Sequence, residues 1–112
     1  MPIVKPNYSN LNYEEVAAEI GLKVKHMPML ISSFLEESKT IMQSLGDAID
    51  ANKYEDIKLH AHSIKGSAGN LRFNAIYDMA REMELSATKS TEDFDYKSYL
   101  NAIREAINTI SL

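Results

Sequence analysis

The chain has 112 residues, 45% of them hydrophobic, with a formal net charge of −4 and no cysteine. That length fits one domain, residues 1–112, with a real core. The missing cysteines remove disulfides and thiolate metal sites. The acidic balance opposes a sequence-independent grip on nucleic acid, which needs a basic face. No apolar run approaches the roughly 20 residues of a membrane span, and "MPIVKPNYSN" lacks the basic start and apolar stretch of a signal peptide. The expectation is a cytoplasmic protein without membrane attachment.

Residues 1–11 read as an extended lead-in with Pro2 and Pro6, its Ile3, Val4 and Tyr8 lying against the body. A short helix begins near Asn12, which caps it, with Glu15 three residues on. Val16, Ala17 and Ile20 give it an apolar side, and Gly21 suits the position just past its end. A long helix follows from about Met27 to Ala51, with Pro28 in its first turn. Leu30, Phe34, Ile41, Leu45 and Ala48 mark its apolar stripe. "DANKYED" makes a turn into a third helix, from about Tyr54 to Leu71. The fourth helix runs from about Asn74 to Thr88, with Ile76, Met79, Ala80, Met83 and Ala87 inward. "KSTEDFD" connects to the last helix, which Asp93 or Asp95 caps. Met27, Met29, Met42, Met79 and Met83 read as core or rim filling. No segment alternates like a strand. The pattern predicts an all-α fold, an up-down antiparallel four-helix bundle with a short extra N-terminal helix.

The third helix holds the informative stretch, "HAHSIKGSAGNL" (residues 60–71). Ile57, Ala61, Ile64, Ala68 and Leu71 keep a helical rhythm, yet Gly66 and Gly69 interrupt it, each costing about 1 kcal/mol relative to alanine. With Ile57 at the origin of a wheel that advances about 100° per residue, the apolar residues fall within roughly 40° of it. His62 lands at about 140°, Gly66 at about 180°, Gly69 at about 120° and Lys65 at about 80°. His62 and both glycines therefore share the side away from the core, with Lys65 on its flank. A glycine at i+4 removes the side chain that would crowd the imidazole. Such a histidine can be approached by another protein and carry a phosphoryl group. Its ring nitrogen is the nucleophile, and lysine holds phosphate oxygens as a point charge.

"AHSIKGSAGNL" (Ala61 to Leu71) resembles the motif of histidine-containing phosphotransfer (HPt) domains of multistep phosphorelays, and is similar to the phosphotransfer domain of chemotaxis histidine kinases. The resemblance implies that His62 accepts the phosphoryl group, that Lys65 helps hold it, and that Gly66 gives clearance for a docking receiver. It implies two partners, a response-regulator receiver domain and a histidine kinase, with magnesium bound by the receiver and no cofactor on this chain. It implies a carrier, not an enzyme. Many relatives have glycine after the leucine of "NL", where this chain has Arg72, a residue that could add positive charge to the docking surface. In the chemotaxis relatives a glutamate on the next helix contacts the histidine, and Glu84 falls at the matching offset. Positions 62 and 84 are both eleven residues from a turn near 73, which puts them at similar height.

Leu59, at about 200° on the same wheel, offers a receiver an apolar contact beside the histidine. Ser63 and Ser67 lie on the flank. His60 and His62 point about 200° apart and cannot share one ion, so no metal site is expected. "GSAG" matches a bare RNA-clamp pattern, but the fold that uses it needs strands. No phosphate-cradling G-x-x-x-x-G-K-[ST] loop is present, and Ser63 and Ser67 stand where a sensor-kinase dimerisation helix carries an acidic residue and a proline. Two alternatives remain: a receiver- or kinase-binding module that carries no phosphate, and the N-terminal piece of a chemotaxis-type kinase. Met1 and the last helix read as a free-standing domain, and a single exposed histidine face favours a monomer.

Overall fold

The computed structural model describes residues 3–111, and no strand occurs among them. The elements are α1 (Tyr13–Ile20), a 3-10 turn (Val24–His26), α2 (Met27–Asp50), α3 (Tyr54–Asn70), α4 (Asn74–Thr88) and α5 (Tyr96–Asn108). Helices α2 to α5 pack in a ring of neighbours, α2 on α3, α3 on α4, α4 on α5 and α5 back on α2. This is the expected four-helix bundle, with α1 as the extra helix.

Local chemistry sets the ends. The Asn12 side chain accepts from the Glu15 amide at 3.1 Å and starts α1, and Asp95 accepts from the Ser98 amide at 3.1 Å and starts α5. Each of α1 to α4 ends in the same crossed pair of amide bonds, one closing six residues and one closing four. At the end of α3, Phe73 N–H reaches Ala68 O at 2.9 Å and Arg72 N–H reaches Gly69 O at 3.1 Å. The residue at the crossing must be left-handed. Gly21 fills that place after α1, but Asn52, Arg72 and Ser90 fill it after α2, α3 and α4, with φ of 54°, 63° and 51°. Arg72 thus takes the conformation that glycine takes most cheaply. Its guanidinium adds a bond to Gly69 O at 3.1 Å, which fastens the turn.

Aromatic rings close both ends of the bundle. Phe73, fully buried, meets Tyr8 edge-on at 4.8 Å and Phe34 at 5.1 Å. Tyr8 also accepts from the Ala75 amide at 3.3 Å, supplying a partner at the start of α4, where no side chain of the chain's own N-cap does so. At the far end Phe94 stacks between Tyr96 and Tyr99 at 4.9 and 4.5 Å. Tyr8 therefore anchors the lead-in. Ile3 and Val4 do not: they are exposed, against expectation, and Tyr8 is the apolar residue of the three that packs on the core. The 3-10 turn at Val24–His26 was not foreseen, since three residues are too few to show a period. Met29 is exposed, whereas Met27, Met42, Met79 and Met83 are buried.

The orientation of α3 follows from burial. Ile57, Ala61, Ile64 and Ala68 are each at most 1% exposed. Turning His62 inward would expose two isoleucines, at roughly 1.5–3 kcal/mol each. The core therefore holds His62 outward. The two glycines of α3 part company here. An added Cβ at Gly66 meets nothing within 4 Å, but at Gly69 it meets the Tyr77 ring at 3.0 Å. The wheel puts Gly69 on the side away from the core, and there its missing side chain lets Tyr77 of α4 lie against α3.

The two glycines are thereby separable by experiment. Gly66→Ala should raise stability by about 0.5–1 kcal/mol from helix propensity alone. Gly69→Ala should gain clearly less or lose, because the tyrosine ring must move. Urea denaturation of both variants measures this, and equal gains would contradict the packing role of Gly69.

Candidate functional site

Two contacts fix the register of α3 against antiparallel α4. Gly69 faces Tyr77, and His62 faces Glu84, with Nδ1 and Oε2 2.8 Å apart. Lys65, one turn along α3, reaches the other oxygen of the same carboxylate, with Nζ 2.7 Å from Oε1. Glu84 thus joins both residues.

Exposure divides the roles. The Glu84 and Lys65 side chains are 17% and 21% exposed, while His62 is 66% exposed. Burial alone would raise the Glu84 pKa. The hydrogen bonds from Lys65 and then His62, with their charges, outweigh it and hold the carboxyl below its ordinary value. Glu84 is therefore ionised at neutral pH, and an ionised carboxylate only accepts. The proton on the neutral imidazole must then sit on Nδ1, where it is donated to Glu84. Nε2 keeps its lone pair and points away from the carboxylate.

The remaining sequence candidates fall into three groups. Gly66 has open space above it, and Leu59, one turn before His62, is 59% exposed. Ser63 and Ser67 turn away from the imidazole: Ser63 Oγ donates to Leu59 O at 3.2 Å, and Ser67 Oγ donates to Glu37 Oε1 of α2 at 2.9 Å. Arg72 lies ten residues beyond His62, about 15 Å along the axis, and belongs to the turn, as Gly69 belongs to the α3–α4 contact. Glu37 was not anticipated as a partner of Ser67, and a single exposed glutamate gives no signal of that. The exposed Leu85, next to Glu84, was likewise missed. Among the described residues no three His, Asp or Glu side chains gather as a metal-binding group.

The site is convex. A groove of about 500 Å3, lined by α2 and α5 residues including Met42, Gly46 and Leu100, does not include His62. Nor does a smaller one of about 190 Å3 between α2 and the end of α3. A nucleophile on an open surface suits a macromolecular partner better than a small molecule, which favours enclosed concavities.

Fold and site together define a small helical-bundle domain built around one braced surface histidine. The family model of the Hpt domain matches residues 29–111, and the chain belongs to that family, whose members serve histidine phosphotransfer in two-component signalling. No curated protein and no solved structure matches it significantly. No helix among the described residues is long and apolar enough to cross a membrane.

The depressed Glu84 pKa has a consequence for stability. Its contribution is present above the unfolded value and is lost as pH falls through the lower folded value. Wild-type stability should therefore drop below pH 4.5, the ordinary value. Glu84→Gln should remove part of that drop, which urea denaturation at neutral and acid pH would show as a shallower pH profile. An unchanged profile would contradict the ion pairs.

Proposed function

We propose that this chain is a histidine phosphocarrier and that His62 Nε2 carries the phosphoryl group. The observation that supports this most is the Nδ1–Glu84 hydrogen bond, which leaves Nε2 as the free, exposed nucleophile. The donor is a receiver aspartyl phosphate or a phosphorylated kinase histidine, and the acceptor is a receiver aspartate.

Transfer from an aspartyl phosphate runs in line. The Nε2 lone pair attacks phosphorus as the bond to the aspartyl oxygen breaks, and that electron pair returns to the aspartate. The ring, still protonated on Nδ1, becomes a phosphorylated imidazolium. Glu84 faces the positive charge as it develops, which is where a fixed carboxylate lowers the barrier. Lys65 lies one turn away, able to share its ammonium between Glu84 and a phosphoryl oxygen. Open space at Gly66 admits the receiver surface. The reverse reaction uses the same groups. Magnesium belongs to the receiver in this scheme, and the chain acts as a carrier and not as an enzyme. A purely binding module would need neither the Lys65 brace nor an orientated nucleophile.

Incubation with phosphoramidate followed by intact mass tests the carrier residue. Wild type should gain one phosphoryl adduct, lost in acid and stable in alkali, and His62→Gln should gain none. An adduct that persists in His62→Gln would mean another residue carries it, and no adduct on wild type would favour the binding module.

A further inference from the structure

We propose that Arg81 is a second phosphoryl-binding cation of this site, pairing with the group once His62 carries it. The proposal rests on the carrier reading above and extends it to a residue on the opposite helix.

The register places Arg81. His62 stands opposite Glu84 and Gly69 stands opposite Tyr77. Each step along α3 toward the turn matches an equal step back along α4. Lys65 therefore stands opposite Arg81, between those two contacts. Arg81 is also three residues from Glu84 on the same side of α4, about 4.5 Å along the axis. A guanidinium on its long stem spans that distance.

The charges show why a second cation is needed. With the imidazole in its neutral, nucleophilic form the cluster is balanced, a carboxylate on Glu84 against an ammonium on Lys65. Phosphorylation adds a dianion and turns the ring into an imidazolium. One negative charge is then uncompensated. Lys65 is committed to Glu84 at 2.7 Å, and moving it fully to the phosphoryl group would strip the carboxylate of its partner. Arg81 is exposed and makes no hydrogen bond or ion pair with any described residue. It is thus an uncommitted cation beside the cluster. Asp78, one turn earlier on α4, lies near enough to Tyr8 for its charge to be felt there. Guanidinium also forks to two phosphoryl oxygens, which an ammonium cannot do.

Lys39 is the natural control. It lines the groove between α2 and α5, which does not include His62, so its removal changes net charge equally without touching the site. Wild type, Arg81→Ala, Arg81→Lys and Lys39→Ala are phosphorylated with phosphoramidate, freed of the donor, and followed by intact mass at low and high salt. A cation on the phosphoryl oxygens stabilises the dianion more than the loose transition state of P–N cleavage by water. Arg81→Ala should therefore shorten the phosphohistidine half-life by roughly fivefold, the effect of one charge-assisted hydrogen bond at a surface. Arg81→Lys should recover part of it, and Lys39→Ala should decay like wild type. Equal half-lives of Arg81→Ala and wild type would overturn the proposal, as would a Lys39→Ala decay as fast as that of Arg81→Ala. A wild-type chain that takes no phosphoryl group overturns the carrier reading itself, and the role of Arg81 falls with it.

Discussion

The Glu84 carboxylate ties α3 to α4 at the point where the chemistry lies. One oxygen takes the proton of His62 Nδ1 and the other takes the Lys65 ammonium. The arrangement is half-sheltered, so each bond is stronger than a fully solvated pair. It also settles a question a histidine leaves open, namely which nitrogen reacts. With the carboxylate fixed on Nδ1, the lone pair is on Nε2, on the exposed side. The same carboxylate then faces the positive charge that phosphorylation would put on the ring.

This geometry depends on two constraints from elsewhere in the fold. The first is the buried stripe of α3, Ile57, Ala61, Ile64 and Ala68, which sets the rotation of the helix and leaves His62 outside. The second is the short turn through Leu71, Arg72 and Phe73. It brings α4 back with residue 84 level with residue 62, and Phe73 buries itself between Tyr8 and Phe34 to hold the turn. Gly69 lets the Tyr77 ring lie close, which keeps the helices near enough for Glu84 to reach across. The two glycines that interrupt one helix thus answer different needs, one inside the molecule and one toward solvent.

Much of this was legible in the sequence. Long helices declare themselves through apolar periodicity; Asn12 marked the start of α1, and of the two candidates Asp93 and Asp95 it is Asp95 that caps α5. The exposed position of His62 followed from the same wheel. The height of Glu84 followed from counting away from the turn, although its contact with Lys65 did not. A wheel describes one helix, and it gave Gly69 to solvent because it holds no knowledge of α4. Arg72 is the exposed charge its type suggests, but its left-handed backbone is invisible in a residue type that seldom adopts it. Arg81 gave no signal, since an arginine on an exposed face reads as solvated until the opposite helix is in register. Ile3 and Val4 read as apolar anchors, but of the lead-in's three candidates only Tyr8 packs on the core.

Long-range proton–nitrogen correlation NMR of the His62 imidazole tests the Glu84 brace most directly. The nitrogen shifts are read at a pH where the ring is neutral, in wild type and in Glu84→Gln. The account predicts a protonated Nδ1 and an unprotonated Nε2 in wild type, with the population moving toward the other tautomer in the variant. A wild-type ring protonated mainly on Nε2, or a tautomer ratio indifferent to Glu84→Gln, would contradict it.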